Sequence, residues 1–185
     1  MHISKIITQY ESLSKDKKNP TKSEVELLTK DCRDCLKTVN DKLQMCITMF
    51  NSLSEDIGGL LKKEFPHDQS MALYSGVVSE FIRSKPVEPI SFFATNVYSN
   101  DMYRKSIIEG NDKFFLGNTY TEAASDADAV KMMFDFKNSW GKLSNSNKEY
   151  IKNVFQTLVK ITAQYIEEKY NGNQLAMILT KISSL

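Results

Sequence analysis

A basic excess is missing from this chain. Its 24 Lys and Arg stand against 23 Asp and Glu, a formal net charge of +1. Proteins that hold nucleic acid by bulk charge carry a clear surplus of cations, so the composition speaks against that class. The one dense cluster, Lys15, Lys17, Lys18 and Lys22, surrounds Asn19-Pro20 and reads as a solvated loop between helices. Long apolar runs are missing too. Nothing approaches the ~18 consecutive apolar residues of a membrane span, so no membrane insertion is expected. The N-terminus has one early lysine and no apolar run, so no secretory signal is expected either.

Cysteine is scarce and odd in number, three in all. Cys32, Cys35 and Cys46 lie in the first quarter of the chain, a distribution that suits a reducing compartment better than a disulfide framework. The expected location is intracellular. With 185 residues, the chain fits one domain and can bury a real core. A subdivision into an N-terminal helical hairpin region (1–84) and an aromatic-rich helical part (85–185) is also open. Neither internal repeats nor low-complexity tracts occur.

What is present is helical periodicity. From Ser23 to Leu53 neither Gly nor Pro interrupts the chain, and Val25, Leu28, Cys32, Cys35, Val39, Cys46, Met49 and Leu53 recur at helical spacing. Leu36, Leu43 and Phe50 widen that stripe. Thr21 to Glu24 forms a capping box ahead of it, with the Thr hydroxyl placed for a free amide and Glu24 placed to bond back. The expected long helix runs over about 22–51, with a second capping box at Ser52 to Glu55 marking a stop or a bend. Ile3, Ile6, Ile7, Tyr10 and Leu13 predict a short first helix. After Gly58-Gly59, Leu60, Leu61 and Phe65 extend an apolar face to Pro66, and Asp68 can cap a helix that stops before Pro86.

Pro86 to Pro89 reads as a stiff, extended connector, because each Pro disfavours helix at the residue before it. From Ile90 to Gly117 six aromatics alternate with turn signals, which predicts three short helices or turns. Thr119 to Glu122 is a third capping box, opening a helix near 120–137. A fourth, Ser146 to Glu149, opens a second long helix over about 146–169, which is expected to end near Asn171-Gly172. A separate last helix is expected over 174–183. The expected fold is an all-α, irregular helical bundle built on two long amphipathic helices.

Several pairs tempt a chemical reading. Cys32 and Cys35 form a CxxC, a redox or zinc signature where it sits in a loop or at a helix start. Here it lies more than two turns inside a helix, on the apolar stripe with Cys46, and no fourth ligand is near in sequence. Packing as small hydrophobes is the better account. His67-Asp68 lacks the further His and Asp of a metal phosphohydrolase, and the Glu-x-x-His pairs of a diiron bundle are absent. The Asp126 and Asp128 carboxylates at a helix start are favoured by the macrodipole without any metal. No phosphate-cradling Gly-rich loop, nucleophile elbow or Ser/His/Asp set occurs. No catalytic residue, metal or cofactor is therefore assigned.

The run Asn138-Ser139-Trp140-Gly141-Lys142-Leu143 is similar to the BH1 signature of Bcl-2-type regulators. Ser139 splits its Asn from its Trp, however, and no matching second segment follows. A closer resemblance covers roughly residues 84–168. It rests on Lys85-Pro86, Pro89 to Phe93, Val97 to Asn100, Tyr103-Arg104, Ile108 to Asp112, Phe114-Phe115 and Phe136-Lys137, then Trp140, Leu143, Asn147-Lys148, Ile151 and Leu158. In this pattern the chain resembles a group of uncharacterised helical proteins encoded by nucleocytoplasmic large DNA viruses. The resemblance implies a virus-encoded helical protein, located in host cytoplasm or virion, and carries over no catalytic residue. Read as packing, Trp140 and Leu143 staple the start of the last long helix, with Phe155 in the core behind them.

The expected function is non-enzymatic: a helical interaction or structural protein working through helix-face contacts with a protein partner. Its expected surface is the stripe through Val25, Leu28, Leu36, Leu43 and Phe50, where Lys42 intrudes at a seam position, together with Arg104. The spacing permits an intramolecular bundle or a homodimer seam. The alternatives are a nucleic-acid accessory protein using loop 15–22 and a hydrolase or metal enzyme hidden in the aromatic middle.

Overall fold

The computed structural model describes residues 3–15, 20–117 and 137–182, the side chains of 15, 70–74, 137 and 138 aside. The fold is all-α, and no strand occurs among the described residues. In chain order the helices are α1 (Ile3–Lys15), α2 (Lys22–Glu64), α3 (Gln69–Ser84) and α4 (Glu88–Phe93). A single π-helical turn, Ala94–Tyr98, continues α4. Then come α5 (Asp101–Ile108), α6 (Lys113–Gly117), α7 (Lys137–Trp140) and α8 (Asn145–Ile182). The expected helix over 120–137, with its Thr119 box and the Asp126 and Asp128 carboxylates, lies outside the described residues except at its last position.

Local chemistry sets the start of α2. The Thr21 amide donates to Glu24 Oε2 at 2.8 Å, and the Glu24 amide donates to Thr21 Oγ1 at 3.3 Å, a reciprocal capping box. Its end differs from expectation. The helix does not stop near 51 but runs 43 residues to Glu64, about 64 Å at 1.5 Å per residue. The Ser52 to Glu55 box starts no new helix, because it lies inside α2, where the buried Ser54 hydroxyl donates back to the Phe50 carbonyl at 2.9 Å. Gly58 lies inside α2, beside α3. A Cβ at that position would lie 3.6 Å from Ser75 Cα.

Three further boundaries differ from the sequence reading. The segment Pro86 to Pro89 is not extended; Val87 has helical φ and ψ, and Pro89 sits in the first turn of α4. In that first turn the missing N–H has no helical acceptor to lose. Ser144, not Ser146, caps α8, its hydroxyl taking the Asn147 amide at 3.3 Å. Finally, α8 does not end at Gly172 but continues through it to Ile182, absorbing the separate last helix. That glycine faces α2: a Cβ on it would lie 3.3 Å from Val39 Cγ1. Its small size serves close helix–helix approach rather than a C-cap.

The chain forms two compact units, Met1–Met45 with Tyr165–Leu185, and Cys46–Gln164. Their limits fall within α2 and within α8. The first unit buries Ile6 of α1, Leu28, Cys32, Cys35 and Val39 of α2, and Leu175, Ile178 and Ile182 of α8. These are the i, i+3/i+4 positions that put one face of each helix into a shared core. The second unit is centred on Phe155 of α8. Phe93, Phe114 and Phe115 surround it at ring separations of 6.1, 5.4 and 5.1 Å. Phe50 meets Phe93 edge-on at 5.4 Å, and Trp140 stacks on Phe115 at 4.0 Å. Aromatic packing of this kind adds roughly 0.5–1.5 kcal/mol per pair beyond area burial.

In the same unit a clamp holds the α5–α6 turn on α8. Gly110 takes φ +66°, the left-handed conformation that favours glycine. Gln156 Nε2 donates to the Ile108 carbonyl at 3.1 Å, and Lys152 Nζ lies 2.8 Å from Asp112 and 2.9 Å from Glu149. Asn51 Nδ2 on α2 donates to the Pro86 carbonyl at 2.9 Å, which ties down the turn before α4.

Candidate interaction surface

The sequence-predicted surface residues fall mostly inside the units. Leu28 and Phe50 are 3% and 0% exposed. Val25, Leu36 and Leu43 are half-buried and pack against the first unit's core. Leu28 packs with residues of α1 and α8, and Phe50 packs on Phe93 of α4, so neither offers an outer face to a partner. Met49, placed on the same stripe by spacing, points outward at 48% exposure. Arg104 is engaged locally: one guanidinium nitrogen donates to the Tyr98 carbonyl at 2.6 Å, another pairs with Asp101, and the group lies 5.1 Å from the Tyr98 ring. It orders the end of the π-helical turn.

Cys32, Cys35 and Cys46 are all buried, and none is in a disulfide. Cys32 Sγ donates to the Leu175 carbonyl of α8 at 3.4 Å, and burial, reinforced by the neighbouring Cys35, pushes its thiol above the ordinary range. A thiol so placed is a poor nucleophile. Trp140, Leu143 and Phe155 are 1%, 4% and 0% exposed in the second unit. The Trp140 indole N–H helps hold the Asp112 carboxyl low, after the larger effect of Lys152, without reaching hydrogen-bond geometry. Among the described residues no three His, Cys, Asp or Glu side chains are grouped to hold a metal ion.

Exposed apolar side chains of the first unit include Leu27 and Met45 on α2, and Tyr170 and Met177 near the end of α8, which lie along a groove with α1. Ile7, Tyr10 and Glu11 on one side and Tyr170, Gln174, Met177, Ile178 and Lys181 on the other line a single groove. Both sets follow helical spacing, i, i+3, i+4 on α1 and i, i+4, i+7, i+8, i+11 on α8. Ile178 closes the floor, while Tyr170 and Met177 stand 61% and 59% exposed. Gln174 Nε2 donates to the Tyr170 hydroxyl at 2.8 Å and braces the ring along the groove edge. Ile166, a turn earlier, is also exposed.

Sequence reasoning passed over this surface, although a signal for it existed. At about 100° per residue, Tyr170 and Met177 lie well away from the face that carries Leu175 and Ile182. An apolar stripe on the second face of an already amphipathic helix is the mark of a further contact. A second groove in this unit, between α1 and α2, is lined by Gln9, Ser12, Leu13, Glu24, Leu27, Leu28 and Asp31. Two carboxylates make it the more polar of the two. No helix among the described residues is long and apolar enough to cross a membrane. Set against family models, curated proteins and solved structures, the chain finds no match.

Proposed function

We propose that this chain is a non-enzymatic helical interaction protein whose contact surface is the α1/α8 groove. The observation that carries the reading is that exposed Tyr170 and Met177 line one groove with half-buried Ile7 and Tyr10. Exposed apolar groups gathered on one face commonly mark protein contacts, and tyrosine and methionine suit that role. Tyrosine supplies a large amphipathic area, and methionine adapts to irregular partners. The groove fits an apolar helix face, from a protein partner or from a second copy of this chain. That the protein is virus-encoded rests on the resemblance over residues 84–168 alone.

The test is affinity capture with the tagged chain beside its Tyr170→Glu/Met177→Glu variant, together with light scattering of both. Both positions are exposed, so helicity and melting should be unchanged. A captured protein, or a dimer mass, that is present with the parent chain and lost with the variant supports the reading. Equal capture and equal mass for the two chains overturn it.

A further inference from the structure

We draw no further inference here: the strongest candidate, the groove beside the start of α8 lined by Lys63 of α2 with Ser146, Asn147 and Tyr150, rests on a helix N-terminus, and nothing in the structure shows what covers it.

Discussion

Lys42 Nζ on α2 lies 2.6 Å from Glu168 Oε1 on α8, joining residues 126 positions apart in the chain. The Glu168 side chain is 7% exposed and its second oxygen has no partner, whereas Lys42 is 46% exposed. A cation that interrupts the apolar seam of α2 thus neutralises a buried carboxylate of α8.

Removing only the lysine strands that carboxylate. Lys42→Met should destabilise the protein by about 2 kcal/mol, less than for a fully buried pair because the lysine is half in solvent. Lys42→Met/Glu168→Met should recover most of the loss. Urea melts followed by far-UV circular dichroism check this, and a double variant no better than the single one would contradict it. The glutamate hydrogen bond raises the lysine above its ordinary value. Its contribution is therefore complete below the unfolded lysine pKa and disappears as pH climbs through the folded one.

The Asp112–Lys152 clamp has the opposite pH sign. Hydrogen bonding from Lys152 holds the Asp112 carboxyl below its usual range. Its stabilisation is present above the unfolded aspartate value, about 3.9, and is lost as pH falls through the folded one. Asp112→Asn should flatten that acid-side loss and cost about 1 kcal/mol at neutral pH, since the aspartate is half-exposed. Thermal melts from pH 7 down to pH 3, read by Trp140 fluorescence, compare the two chains.

Two helical glycines should respond in opposite ways. Nothing lies within 4 Å of a Cβ built on Gly59, whereas Val39 crowds one on Gly172. Gly59→Ala should stabilise by about 1 kcal/mol through helix propensity. Gly172→Leu should destabilise by about 1–3 kcal/mol through overpacking against α2. Denaturation midpoints measure both, and a neutral Gly172→Leu would remove the close-approach account.

The buried thiols should be silent in the native state. A chromogenic disulfide reagent should modify Cys32, Cys35 and Cys46 slowly, at the pace of opening, and all three promptly in denaturant. A fast native phase assigned to Cys32 by mass mapping would show that its packing against Leu175 is looser than the 3.4 Å contact indicates.

Short-range chemistry made much of the fold legible. Helical spacing placed Leu28, Cys32, Cys35 and Val39 on one face, and all four are in the first unit's core. Thr21 and Glu24 announced the start of α2 because a capping box closes within four residues. The turn signal at Gly110-Asn111-Asp112 falls where the chain turns between α5 and α6, with Gly110 at φ +66°. Each of these depends on neighbours close in the chain.

Tertiary structure alone decided where the long helices end and which apolar residues stay outside. Gly58 and Gly172 read as weak points, since each lowers helix propensity by about 1 kcal/mol. In the fold both glycines lie inside helices, and at Gly172 the absence of a side chain makes room for Val39 of α2. The partner of Lys42 was invisible for the same reason, because Glu168 comes near only when α2 and α8 pack. Periodicity makes a residue apolar and gives it a face. Only the packed helices determine whether that face is covered, as at Phe50, or left open, as at Tyr170 and Met177.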